Sequence, residues 1–190
     1  MQKITGLVLA GGLGRRMGGV DKGLKIFRGE PMVAVVLKRF TPQVDEALIN
    51  ANQNLDQYRR FGYQVVPDEI EGFAGPLAGL HKGLSEAKHG LVATVPCDSP
   101  FLPEDLISRL RSKLAENDLA VAKTFSQAHP VFCLCRKALL PHLTDFLQRG
   151  GRKIDAWYAT LKVVEVAFDD EAEAFRNINT AEELSSLEGG

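Results

Sequence analysis

The sequence has few cysteines, almost no net charge and no long apolar run, and each shortage closes off a class of protein. Its three cysteines, Cys97, Cys133 and Cys135, are an odd number with no C-x-x-C pair. Neither a disulfide framework nor a thiolate zinc site is indicated. Cys133 and Cys135 lie two apart in an apolar run, so on a strand they share one face, as buried free thiols. The 23 basic and 24 acidic side chains leave a formal charge of −1. A field that weak recruits neither nucleic acid nor an anionic membrane. No apolar stretch approaches the roughly 20 residues that cross a bilayer. The opening, Met1-Gln2-Lys3-Ile4, has no secretory apolar core, and the expectation is a cytoplasmic protein. None of the four histidines sits in a Ser/His/Asp or Cys/His context, so covalent nucleophilic catalysis has no support.

Glycine, by contrast, is concentrated. Between Leu9 and Leu24 the chain carries glycines at 11, 12, 14, 18, 19 and 23, with Arg15, Arg16 and Lys22 among them. The segment follows Ile4 to Leu9, an apolar run that reads as a buried first strand. Glycine lets backbone N–H groups approach a ligand closely, and the cations add fixed positive charge. Together they suit a polyphosphate. Familiar phosphate loops do not fit. Lys22 is followed by Gly23 rather than by the Ser or Thr of a Walker A loop. Gly12-Leu13-Gly14-Arg15-Arg16-Met17 lacks the last glycine of the dinucleotide fingerprint.

With 190 residues, 45% hydrophobic and 25% charged, the chain fits one globular domain, residues 1–190. Strand-like and helix-like runs alternate, which predicts an α/β fold with an open, mainly parallel sheet and helices on both faces. Strands are expected at Val44 to Asn50, Tyr63 to Val66, Leu91 to Val95, Leu119 to Ala122, Val131 to Leu134 and Leu161 to Phe168. An extended piece is expected at Leu24 to Phe27. Leu91 to Val95 is uncharged throughout and should be central. Helices are expected over Met32 to Phe40, from Pro76, from Pro103 as a first helical residue, around Leu139 to Leu147, over Ile154 to Thr160, and over Ala181 to Leu187 behind a Thr180 cap. His81 should lie on the exposed side of its helix.

Open parallel sheets bind ligands beyond the carboxyl ends of their strands. Those ends carry the glycine loop, Asn50, Asp68 and Asp98. Asp98 lies between Pro96 and Pro100, is held rigidly, and can serve magnesium, which needs one or two carboxylates beside substrate phosphates. Asn50 offers a donor and an acceptor to a base edge, or forms a turn. Asp68, on its own, is equally a solvated loop acid. Glycines at 75 and 79 would let a base or ribose rest on the backbone.

Five segments in order, Leu9 to Leu24, Asn50, Asp68 with Gly75-Pro76-Leu77-Ala78-Gly79, Cys97-Asp98-Ser99-Pro100 and Asn177-Ile178-Asn179-Thr180, resemble nucleotidyltransferases of the molybdenum cofactor guanylyltransferase type. The resemblance implies a Rossmann-like nucleotidyltransferase fold, with GTP and molybdopterin as substrates. The guanine dinucleotide cofactor and pyrophosphate would be the products, and Mg2+ the metal. It implies nucleotide contacts from Leu9, Ala10, Gly11, Gly12, Lys22, Asn50, Asp68, Gly75 and Asp98. Catalytic roles fall to Lys22, Asp98 and Arg16, with Asp98 on the metal. Arg16, Asn177 and Asn179 would hold the second substrate. Molybdoenzyme apoproteins or their chaperones would receive the product. A molybdopterin cytidylyltransferase, a sugar-1-phosphate nucleotidyltransferase and a non-catalytic GTP-binding accessory protein are the competing readings.

Overall fold

The computed structural model describes residues 2–11, 21–70 and 75–178. In chain order its strands are β1 (Ile4–Leu9), β2 (Ile26–Phe27), β3 (Glu30–Pro31), β4 (Glu46–Asn50), β5 (Gln64–Val66), β6 (Leu91–Pro96), β7 (Leu119–Thr124), β8 (Gln127–Arg136) and β9 (Val163–Ala167). Seven of them form one sheet in the order β5-β4-β1-β6-β8-β7-β9, while β2 and β3 pair separately. Within the large sheet, β8 runs antiparallel to β6 and β7, and the other neighbours are parallel. The uncharged β6 occupies the middle of the seven, where both of its faces are covered.

The helices are α1 (Met32–Phe40), α2 (Leu55–Arg59), α3 (Pro76–Glu86), α4 (Leu106–Leu114), α5 (Leu140–Gln148) and α6 (Ile154–Tyr158). Strand alternation divides the core between two layers. Ile4 and Val8 of β1 and Ala93 and Val95 of β6 pack with Val33, Val36, Leu37 and Phe40 of α1 and with Leu106 and Leu110 of α4. Leu7 and Val92 face the other way, against Leu77, Leu80 and Leu84 of α3 and Leu143 and Leu147 of α5. Helices therefore cover both faces. Each fully buried aliphatic or aromatic side chain of this kind contributes about 1.5–3 kcal/mol. Among the described residues no helix is long and apolar enough to cross a membrane.

Several local expectations are corrected. The helix expected from Pro103 begins at Leu106. Leu106 N–H bonds to Pro103 O at 3.3 Å, and Asp105 (φ −108°, ψ 11°) is the N-cap. Pro103 thus closes a turn before the helix. The extended piece at Leu24 to Phe27 is a 3-10 turn over Lys22–Leu24 followed by the short β2–β3 ribbon. The strand expected from Val131 starts at Gln127 and forms a hairpin with β7. His81 is half-buried between α3 and α5, its Nε2 2.9 Å from Thr144 Oγ1. Burial pushes its pKa below the ordinary histidine value. The Thr180 cap and the helix expected over Ala181 to Leu187 lie outside the described residues.

Candidate functional site

The carboxyl ends of β4, β1 and β6 are tied together one residue past the strands. Ala10 N–H donates to Asn50 O at 2.8 Å and Cys97 N–H donates to Leu9 O at 3.1 Å. The sheet rim on which Leu9, Ala10 and Gly11 stand is therefore continuous from Asn50 to Asp98.

At the β6 end, Asp98 is only 8% exposed, and its Oδ2 lies 3.1 Å from Lys22 Nζ. Seventy-six positions apart in sequence, the two residues predicted to handle phosphate charge meet at one point. Cys97, just before, is buried. Burial first, and the charges of Asp98 and Asp21 next, hold its thiol well above the ordinary value. The thiol stays protonated and offers no thiolate nucleophile.

At the β4 and β5 ends, Asn50 is buried (2% exposed). Its Nδ2 donates to Val66 O at 2.9 Å and to Asp68 Oδ1 at 2.8 Å. Both amide hydrogens are consumed, which changes the expectation for Asn50. It aims the Asp68 carboxylate, and no amide donor is left for a base edge. Gly79 and Gly11 make room for it. A Cβ on Gly79 would overlap Asn50 Oδ1, and one on Gly11 would lie 2.8 Å from that oxygen. Asn52, which belongs to none of the five segments, completes the arrangement. Its Nδ2 donates to Asp68 Oδ2 at 2.8 Å and to Gly11 O at 3.2 Å, and its Oδ1 accepts from Asp68 N at 2.8 Å. Lys82 of α3, buried, pairs with Glu69 and with Glu86 (2.7 Å), pinning the backbone just after Asp68. Gly75, at φ +153°, is the N-cap of α3, in a conformation that favours glycine.

Beyond Asp98 the C-terminal segment returns to the rim. Ile178 N–H donates to Asp98 O at 2.9 Å, and Ser99 Oγ–H donates to Asn177 Oδ1 at 2.6 Å. Asn177 and Pro96 open a groove of about 460 Å³ that runs along the β7–β8 hairpin past Thr124, His129, Phe132 and Phe175. His129 stacks on Phe175 at 4.7 Å, and its Nε2 is 2.7 Å from Thr124 Oγ1. Burial lowers its pKa. Asp68 and Asp98 thus flank the rim. Asp68 is tied to the end of β4, about two strand spacings or ~10 Å from β6, and the groove continues on the far side of Asp98.

Gly12, Arg16 and Asn179 lie outside the described residues. Among those described, no group of three or more His, Cys, Asp or Glu side chains is placed to hold a metal. The single carboxylate of Asp98 fits a magnesium ion, which keeps waters and takes its other ligands from substrate phosphates.

Residues 6–163 match the MobA-like NTP transferase domain. A molybdenum cofactor guanylyltransferase of Ralstonia nicotianae is 52% identical, over 97% of this chain and 95% of that protein. The corresponding protein of Bordetella petrii is also 52% identical, over 97% and 96%. Among solved structures, molybdopterin-guanine dinucleotide biosynthesis protein A of Archaeoglobus fulgidus has the same fold. Its TM-score is 0.81 and its identity 24%, over 97% of both chains.

Proposed function

The chain belongs to the MobA-like NTP transferase family, and from that premise we propose that it transfers GMP from GTP to the terminal phosphate of molybdopterin. The products are the guanine dinucleotide form of the cofactor and pyrophosphate. Its relatives at 52% identity carry the name of that activity. The observation that carries the chemistry is the Lys22–Asp98 pair, 3.1 Å apart on the rim, with the Asp68 cluster on one side and the groove on the other.

An oxygen of the acceptor phosphate forms a bond to the α-phosphorus of GTP while the bond from that phosphorus to the β-phosphate oxygen breaks. The nucleophile is already an anion at neutral pH, so alignment and charge compensation are what the protein must supply. Lys22 sets its ammonium, a compact point charge, against the departing pyrophosphate. The Asp68 carboxylate, aimed by Asn50 and Asn52, accepts hydrogen bonds from the N–H groups of guanine. Asn177 and the groove behind it hold the acceptor. Asp98 would hold Mg2+, which supplies charge neutralisation at the phosphates. Arg16, Gly12 and Asn179 keep the roles that the resemblance assigns them. The enzyme works in the cytosol, where its three buried free thiols stay reduced. Molybdoenzyme apoproteins or their chaperones would take the product.

Pyrophosphate release with GTP, CTP or ATP, magnesium and molybdopterin tests the reading. GTP should be preferred by about 10⁴, because a site built for one donor set rejects a base that lacks it. Preferential use of CTP would point to cytidylyl transfer, and equal use to an enzyme that does not select guanine. Absence of turnover with firm GTP binding would point to an accessory protein.

A further inference from the structure

Lys22 opens a one-turn 3-10 segment whose N-cap residue, Asp21, is fixed from another part of the chain. Asp21 caps that turn by accepting Gly23 N–H at 3.2 Å. The same carboxylate oxygen accepts Tyr58 O–H at 2.5 Å, and the other accepts Asn54 Nδ2 at 3.1 Å. Both donors come from the edge of α2, a helix of five residues in which Tyr58 alone is buried. Tyr58 is fully buried. Its hydroxyl lies so close to the turn that a Cβ on Gly23 would be 2.5 Å from it and 3.3 Å from Cys97 Sγ.

Asn54 is equally telling. It occupies the N-cap position of α2, where an asparagine side chain ordinarily caps the helix, yet it makes no capping bond. Its backbone is left-handed, φ 52°, rather than the extended one a capping residue takes, and its Nδ2 donates to Asp21. The amide of Asn54 is thus spent on the turn that carries Lys22 and does nothing for the end of α2. Three hydrogen bonds hold the Asp21 carboxylate next to Lys22, and the one from Tyr58 is short, as a hydroxyl bond to a carboxylate is.

We propose that Tyr58 and Asn54 are positioning residues that act through Asp21 to aim Lys22 at the pyrophosphate end of the nucleotide. The inference rests on the phosphate role given to Lys22 above, and the two are separable by experiment. The probes are inorganic pyrophosphate and GMP, each titrated calorimetrically with magnesium present against the full chain. Tyr58→Phe removes one hydrogen bond and keeps the ring. Asn54→Gly removes the amide and keeps the left-handed backbone, so it remains informative where Tyr58→Phe fails to fold.

The expected result is a loss of pyrophosphate affinity of about 5- to 10-fold for Tyr58→Phe and about 3-fold for Asn54→Gly, a part of the roughly 10- to 100-fold that one hydrogen bond to a charged group is worth, because the effect reaches pyrophosphate only through Asp21 and Lys22. GMP affinity should be unchanged in both. Adding either substitution to Lys22→Ala should cost nothing further, the signature of action through one group. A lower melting temperature with unaltered pyrophosphate affinity would make Tyr58 and Asn54 purely structural and overturn the proposal. So would an effect that multiplies with that of Lys22→Ala. If Lys22→Ala itself binds pyrophosphate like the unmodified protein, the phosphate role of Lys22 falls, and the proposal with it.

Discussion

Gly79→Ala is the substitution for which local and tertiary preferences disagree most sharply. Gly79 lies inside α3 and is buried. In an open helix, alanine would stabilise by about 1 kcal/mol. Here the new methyl overlaps Asn50 Oδ1 and lies 2.7 Å from Leu9 Cδ2. Overpacking of this kind costs about 1–3 kcal/mol. Asn50 cannot swing aside cheaply, because its amide holds Val66 O and Asp68 Oδ1. Breaking those two bonds adds about 1 kcal/mol each. Set against the helix preference, the net expectation is a destabilisation of about 2–4 kcal/mol, or roughly 4–16 °C in melting temperature for a domain of this size. KM for GTP should rise as well, since the carboxylate of Asp68 loses its aim.

The assay is thermal unfolding with GTP kinetics, in the unmodified background and in Asn50→Ala. With Asn50 truncated only the flexible end of Leu9 stands in the way, so adding Gly79→Ala should cost at least about 1 kcal/mol less than it does in the unmodified background. GTP use should stay poor in the double variant, because Asp68 still lacks its Asn50 donor. A Gly79→Ala protein that is more stable than the unmodified one, with the same KM for GTP, would refute the role given to Asn50.

Asp98→Asn keeps the shape and removes the charge, so kcat should fall by at least about 10² to 10³ at ordinary magnesium. Steady-state pyrophosphate release checks it, and near-normal turnover would dismiss Asp98 as the metal's ligand. His81 and His129 are both held below the ordinary histidine pKa by burial. Their contribution to stability is therefore present above the unfolded value, about 6.5, and is lost as pH falls through the lower folded values. Melting temperature should drop on acidification from pH 7 to 5, and the drop should be shallower in His129→Gln. An unchanged slope would show that His129 does not carry that dependence.

The legible parts of this molecule are those in which one physical demand dominates a run of residues. Leu91 to Val95 reads as a central strand because both faces of β6 are covered and no position admits a charge. The helical spacing of Val33, Val36, Leu37 and Phe40 gives α1 with its bounds. The glycine loop and the rigid Asp98 stand out because their chemistry is concentrated locally. What was not legible depends on partners remote in sequence. Five-residue α2 is too short for periodicity, and its one buried side chain, Tyr58, is ambiguous on its own. Asn52 meets Asp68 across 16 positions, and nothing in either local sequence announces the pairing. His81 reads as exposed because the helix that covers it, α5, lies some sixty residues later. Asn50 was recognisable as a rim residue. Only its burial against Gly79 and Val66 shows that its amide is spent inside the protein.

The central claim, transfer of a nucleotidyl group to a phosphate acceptor, is tested most directly by following the α-phosphate of GTP. With GTP labelled at that phosphate, magnesium and molybdopterin, the label should pass into a dinucleotide, with one pyrophosphate released per label transferred. Label recovered as free GMP or GDP, with no dinucleotide formed while GTP is consumed, would contradict it.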